Sequence, residues 1–294
     1  MPCSALPCLI TSASSFFQNT LSADSSPAAK PLAIISGGSA GLGLVIAQTF
    51  ADAGYELILL GRSAERLEAA QRQLQAAGSA EVQWFACDAT DPHQLRDVAA
   101  NVTDRFGHLD VLVNCVGTSD RGRVCDLDAS RVHQLIDQNV IATLHCSQAM
   151  LPLLERCGGV VVNIGSLSGK VGARFLGGYN LAKHALAGLT QQMRLEWREK
   201  GVHVGLVSPG PIRRDDAGHR YKDRVDDSLP EQAARPGGGT RVKGLPPERV
   251  AAAVLKCVRR RRPDLILPGY LRLLITLGNA SPRVGDWLLL RFTS

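Results

Sequence analysis

Residues 31–50, PLAIISGGSAGLGLVIAQTF, decide the fold. The apolar run PLAIIS (31–36) reads as a buried strand, and helix-forming residues run on to about Ala53. Between them Gly37, Gly41 and Gly43 stand in a Gly-x-x-x-Gly-x-Gly spacing. A strand that breaks into such a turn and opens a helix leaves backbone N–H groups pointing outward at the positive helix end, with no Cβ in the way. A pyrophosphate can approach there, and on the first strand of a βαβ series this is the layout of a dinucleotide site. The candidate cofactor contacts in the turn are Ser36, Gly37, Ser39, Gly41, Leu42 and Gly43.

Outward from this stretch the strand signal repeats in ELILL (56–60), VQWFAC (82–87), DVLVNCV (110–116), VVVNIG (160–165), VHVGLVS (202–208) and DLILP (264–268). These are continuous runs of Val, Ile and Leu instead of alternating ones, as expected of strands covered on both faces. Amphipathic stretches lie between them: SAERLEAAQRQLQAA and segments near 91–106, 129–156, 176–199 and 247–262. Strands separated by helices imply right-handed crossovers. The expected architecture is α/β, a single doubly wound, Rossmann-type parallel sheet with helices on both faces. It occupies 31–268, preceded by a Ser- and Ala-rich leader (1–30) read as disordered and followed by an apolar extension (269–294). Residues 211–245, rich in Pro, Gly, Asp and Arg, form a loop long enough to serve as a substrate loop.

Composition narrows the function classes. The chain has 294 residues, 45% hydrophobic and 20% charged, with a net charge of +6 that RRRR at 259–262 and RR at 213–214 account for. No aromatic platform accompanies these arginines, and a basic helix end beside the helix dipole needs no nucleic acid to explain it. The eight cysteines form no C-x-x-C and no metal-spaced pairing with histidine, so no metal site is expected and a reducing, cytoplasmic setting is. No run reaches the roughly 20 apolar residues a membrane span requires.

Three further places carry chemistry. The second strand ends in LLGRSAERL; an acid there suits a free ribose 2′-hydroxyl, whereas Arg62 suits a 2′-phosphate, which favours NADP over NAD. Asp88, at the end of the third strand in CDATD, is placed to accept from an adenine amino group. In GGYNLAKHA (177–185), Tyr179 and Lys183 lie one helical turn apart. An ammonium there favours the phenolate of a side chain whose ordinary pKa is about 10.

Glycine turn, a strand ending NIGSLSG and then YNLAK, in this order and with Ser166 thirteen residues before Tyr179, resemble the short-chain dehydrogenase/reductase family over about Pro31 to Pro268. SGGSAGLG is similar to the family's Thr-Gly-x-x-x-Gly-x-Gly, with Ser36 for threonine; NCVG (114–117) matches Asn-Asn-Ala-Gly, and SPGPI (208–212) its Pro-Gly motif. The resemblance implies Tyr179 as general acid in carbonyl reduction and base in alcohol oxidation, and Ser166 as hydrogen-bond partner of the substrate oxygen. It implies Lys183 as the group that tunes Tyr179 and holds the nicotinamide ribose, and Asn139 as the residue positioning a water on the path from Lys183 to solvent. It also implies cofactor contacts at Asn114, Gly117, Pro209, Gly210 and Ile212.

Two departures stand out. Gly165 occupies a position where serine is common, and Arg214 one where the family usually offers threonine to the carboxamide. The expected function is NADP(H)-dependent interconversion of a hydrophobic ketone or aldehyde and its alcohol; the alternative is a non-catalytic NADP(H)-sensing or scaffold protein on the same fold. The extension, GYLRLLITLGNASPRVGDWLLLRF (269–292), resembles tails in the lipid- and steroid-reducing branch and suggests peripheral membrane contact. The resemblance further implies a homodimer or homotetramer through the helices at 129–156 and 176–199.

Overall fold

The computed structural model describes residues 30–78, 81–213, 229–230, 233, 237 and 240–292. The leader apart from Lys30, Arg214 and most of the 211–245 loop lie outside the described residues.

Six strand–helix units follow one another: β1 (Leu32–Ser36), α1 (Gly41–Asp52), β2 (Glu56–Gly61), α2 (Ala64–Ala76), β3 (Val82–Ala86), α3 (Pro92–Phe106), β4 (Val111–Asn114), α4 (Ala129–Ile136), α5 (Ala142–Glu155), β5 (Val160–Ile164), α6 (Tyr179–Glu196), β6 (His203–Pro209), α7 (Pro247–Arg259). A last strand, β7 (Asp264–Leu267), and two short helices, α8 (Leu271–Ala280) and α9 (Pro282–Phe292), complete the described chain. All pairings are parallel, and the strand order is β3-β2-β1-β4-β5-β6-β7. The order reverses between β1 and β4, where Ser36 pairs with Asn114, and such a reversal opens a crevice at the carboxyl ends of the strands.

Strand residues alternate between two cores. Ala33, Ile35, Leu57 and Leu59 pack with Ile46, Phe50, Leu67 and Val254 from α1, α2 and α7. Leu32, Ile34, Ile58 and Leu60 pack with Leu95, Met150 and Met193 from α3, α5 and α6. Both faces being buried is why the strands read as unbroken apolar runs. The helix starts follow local chemistry: Asp91 caps α3 by accepting from His93 N at 2.8 Å, Pro92 follows it, and Gly107 ends the helix in the left-handed region at φ 74°.

The helix expected over 129–156 is not continuous. A π-helical stretch, Asp137–Ile141, separates α4 from α5 and contains Asn139. The extension, read as a simple apolar tail, folds into two helices, and Gly278 and Gly285 let their backbones touch: a Cβ on Gly285 would stand 2.8 Å from the Gly278 carbonyl oxygen.

Candidate active site

A cleft of about 2800 Å³ runs along the carboxyl ends of the strands. At its floor the glycine turn is tightly specified. Gly37 has φ +76° and donates to Leu60 O at 2.8 Å, while a Cβ on Gly43 would collide with the Gly37 carbonyl. The helix therefore starts flush against the turn. Ala40, its N-cap, offers no side-chain bond, and no acid occupies the first turn, so the leading N–H groups of α1 have no side-chain cap. By contrast Ser63 caps α2 and Asp91 caps α3. An uncapped, acid-free helix start behind a glycine cradle fits an anionic group. Ser36, Ser39, Gly41 and Leu42 line the same cradle.

Arg62 is exposed at the cleft rim beyond β2, as the sequence suggested. Arg66, one turn into α2, lines the same rim and was missed, because it reads as an ordinary polar position of a surface helix. Asp88 is fixed at the end of β3: its Oδ1 accepts from Thr90 N at 2.9 Å and from Thr90 Oγ1 at 2.8 Å, and its own N–H donates to Gln94 Oε1 at 2.9 Å.

Asn114 does not line the cleft. It is buried, and its Nδ2 donates to Ser147 Oγ and to Asn163 Oδ1, both at 2.9 Å, while Asn163 Nδ2 donates to Thr190 Oγ1. The side chain thus joins β4, β5, α5 and α6, and the cleft wall after β4 is Cys115, Val116 and Gly117 instead. Among the described residues Asn114 Oδ1 has no partner.

The remaining predicted residues converge. Tyr179 is the first residue of α6, and Lys183 Nζ lies 5.7 Å from its ring centroid. Lys183 is buried and donates to Ile164 O at 3.1 Å, at the end of β5. A Cβ on Gly117 would meet Asn139 Oδ1 at 2.5 Å and Lys183 Nζ at 3.6 Å, so these three residues surround one point. Asn139 is fully buried; its Nδ2 donates to Thr118 O at 3.1 Å and Leu135 O at 2.9 Å, whereas its Oδ1 has no partner. The π-turn swings this residue to the cleft, a common use of such turns. Burial holds the Lys183 pKa down to about 8, opposed by the Cys115 thiol nearby.

Ser166 caps a short 3₁₀ turn, its Oγ accepting from Ser168 N at 3.1 Å. With that lone pair engaged, the hydroxyl hydrogen is available to the cleft. At Gly165 a Cβ would stand 2.9 Å from Leu206 Cδ1 and 3.1 Å from Ser208 Oγ, both side-chain ends. Pro209, Gly210 and Ile212 line the cleft beyond β6, and Ile212 bridges to Leu245, closing the base of the long loop. Arg121 was not foreseen. It is buried at the cleft wall and donates through Nε to Ala233 O at 2.7 Å and through Nη1 to Asp120 O at 2.6 Å. Asp120 in turn takes Arg131 at 3.1 Å. Among the described residues no group of three or more His, Cys, Asp or Glu side chains could hold a metal.

Residues 31–224 match the short chain dehydrogenase family. The chain is 31% identical over 225 residues to D-beta-hydroxybutyrate dehydrogenase of Rhizobium meliloti, covering 76% of this chain and 81% of that protein. It is 30% identical over 247 residues to dehydrogenase/reductase SDR family member 7B of Danio rerio, covering 80% and 76%. Among solved structures, actinorhodin polyketide ketoreductase with NADPH aligns with a TM-score of 0.71 at 25% identity, covering 82% of this chain and 97% of that one. An alcohol dehydrogenase from Thermococcus sibiricus, complexed with 5-hydroxy-NADP, aligns at 0.68 and 26%, covering 82% and 97%. The chain belongs to the short-chain dehydrogenase/reductase family of oxidoreductases.

Proposed function

We propose that this protein is an NADP(H)-dependent oxidoreductase that interconverts a ketone or aldehyde and its alcohol, acting on a hydrophobic substrate. The observation that carries the reading is the convergence of Tyr179, buried Lys183 and the unpartnered Asn139 Oδ1 on one cleft with the glycine cradle. The cradle (Ser36, Gly37, Ser39, Gly41, Leu42, Gly43) and the uncapped start of α1 hold the pyrophosphate. Arg62 takes the 2′-phosphate, Asp88 the adenine, and Gly117, Pro209, Gly210 and Ile212 the nicotinamide half. The neighbours solved with NADPH and 5-hydroxy-NADP support the choice of NADP(H). Bound there, the cofactor supplies or accepts the hydride.

The chain's own residues handle the proton. In reduction Tyr179 gives its hydroxyl proton to the carbonyl oxygen, and Ser166 Oγ–H donates to the same oxygen as charge develops on it. Lys183, protonated below about pH 8, sits beneath the Tyr179 ring, where its charge favours the phenolate left behind. Asn139 Oδ1 has the free lone pairs to hold a water that returns a proton to Lys183. In oxidation the same groups run in reverse.

Apolar side chains of the extension on the cleft wall, Leu271, Ile275, Leu288 and Leu289, support a hydrophobic substrate. The reading includes peripheral membrane contact through the extension, and a homodimer or homotetramer through the α4–α5 and α6 faces. Leu181 and Leu195, exposed on α6, support the latter. Consumption of NADPH, followed by its absorbance across ketosteroids, 3-ketoacyl thioesters, retinal and ketosphinganine, tests the activity. Turnover of at least one supports it. Stable NADPH binding with no turnover of any hydrophobic carbonyl, and no oxidation of the matching alcohols, counts against it.

A further inference from the structure

The hairpin α8–α9 is apolar on two sides, and the cleft occupies only one of them. Leu271, Ile275, Leu288 and Leu289 face the cleft. Leu273, Leu277, Val284, Trp287 and Leu290 do not line it and are exposed, Leu273 to 66% and Trp287 to 63%. Their spacing makes a stripe along each helix, 273 and 277 on the first and 284, 287 and 290 on the second. The close contact at Gly278 and Gly285 sets the two helices side by side. A helix apolar on both sides calls for cover on both, and a contiguous exposed patch marks an interaction surface.

Charge selects what covers it. Arg272, Arg283 and Arg291 are exposed on the hairpin against one acid, Asp286, which lies on the cleft side. Among the described residues none of these arginines is paired with a carboxylate. An apolar face carrying a tryptophan and edged by unpaired arginines has the composition of helices that lie in a membrane interface. At 10 and 11 residues, the helices are too short to cross a bilayer and suited to lying along it.

We infer that the α8–α9 hairpin docks on an anionic lipid surface. Leu273, Leu277, Val284, Trp287 and Leu290 enter the boundary between headgroups and acyl chains, and Arg272, Arg283 and Arg291 lie against lipid phosphates. The opposite side of the hairpin walls the cleft, so one helix layer, roughly 10 Å thick, separates the membrane from the substrate. An apolar carbonyl compound dissolved in the bilayer then reaches Tyr179 around the hairpin without passing through bulk water. The docking rests on and sharpens the peripheral membrane contact of the proposed function and stands independently of the activity, whereas this delivery route rests on the oxidoreductase reading.

Sedimentation of the full chain with vesicles of phosphatidylcholine, alone or with phosphatidylserine, tests the docking. The protein should partition onto the phosphatidylserine vesicles, and brominated acyl chains should quench Trp287. The double variant Leu277→Glu/Trp287→Glu should lower the partition by at least about tenfold, and Arg272→Gln/Arg283→Gln/Arg291→Gln should remove the preference for anionic lipid. Both variants should keep wild-type NADPH affinity, which shows that they fold. Absence of wild-type binding to either vesicle overturns the inference. So does a wild-type dimer that becomes monomeric in the double variant with no lipid binding, because the face would then join two copies of the chain. Vesicle binding without NADPH-dependent turnover leaves the docking standing and sinks the activity alone; turnover without vesicle binding does the reverse.

Discussion

Replacing Lys183 with methionine should separate catalysis from stability, because the ammonium proposed to act in the reaction is one that the fold buries at a cost. Methionine keeps an unbranched stem of similar length and removes the charge. Burial lowers the Lys183 pKa from 10.5 to about 8. A displacement of that size corresponds to about 3 kcal/mol. Against it stands the lost hydrogen bond to Ile164 O, a charged one worth about 1.5–3 kcal/mol. The two nearly cancel, so ligand-free Lys183→Met should be as stable as wild type at pH 7, within about 1.5 kcal/mol.

The pH dependence is more diagnostic. Between about pH 8 and 10.5 the unfolded lysine is protonated while the folded one is not, so unfolding takes up a proton and wild-type stability rises with pH. Below about pH 8 both states are protonated and the full cost is present. The variant lacks this rise. Buried Cys87, Cys146 and Cys257, with thiols pushed up to about 11, 12 and 12, pull both proteins the other way above pH 9, so the difference between the two proteins is the quantity to read. Urea unfolding followed by circular dichroism at pH 7, 8, 9 and 10 measures it. Wild type should gain on the variant steadily from pH 8 upward. Parallel curves through this range would refute the argument that a buried charge at Lys183 is held at a cost.

Arg62→Ala should weaken NADPH about ten- to a hundredfold by removing a charge-assisted contact of about 1.5–3 kcal/mol, and leave NADH unchanged; equal losses for both nucleotides in a binding titration would remove Arg62 from the 2′-phosphate. Gly43→Ala places a methyl against the Gly37 carbonyl, so nucleotide binding should be lost with about 1–3 kcal/mol of stability, and a variant of wild-type affinity would show that the turn is not a close-packed cradle. At neutral pH the buried thiols of Cys87, Cys146 and Cys257 should resist labelling by a disulfide reagent until the protein unfolds, while exposed Cys125 reacts at once; early labelling of Cys146, read by peptide mass mapping, would contradict its burial.

The parts of the molecule that sequence reveals are those whose cause is local. Ile34, Ile35 and Leu57–Leu60 read as buried strands because both faces of the sheet are covered, and Gly37, Gly41 and Gly43 read as a cradle because their spacing is itself the geometry. Tyr179 and Lys183 follow from one helical turn. What stayed hidden depends on distant partners. Arg121 bonds Ala233, 112 positions away, and nothing around DRGR announces it. Asn114 sits in a motif that touches the cleft through its neighbours, but its own direction is decided by Ser147 and Asn163. The π-turn at Asp137–Ile141 has ordinary helical composition, so one long helix was the natural reading.

The central claim is that Tyr179 transfers the proton, and Tyr179→Phe tests it most directly. The substitution deletes one hydroxyl and keeps the ring above Lys183 Nζ. With NADPH and a carbonyl compound that the wild type reduces, single-turnover absorbance should show the rate falling by about 10²–10⁴ while NADPH affinity is unchanged. A Tyr179→Phe enzyme that reduces the same compound at near wild-type rate would show that the proton comes from elsewhere, and the account built on this residue would fall.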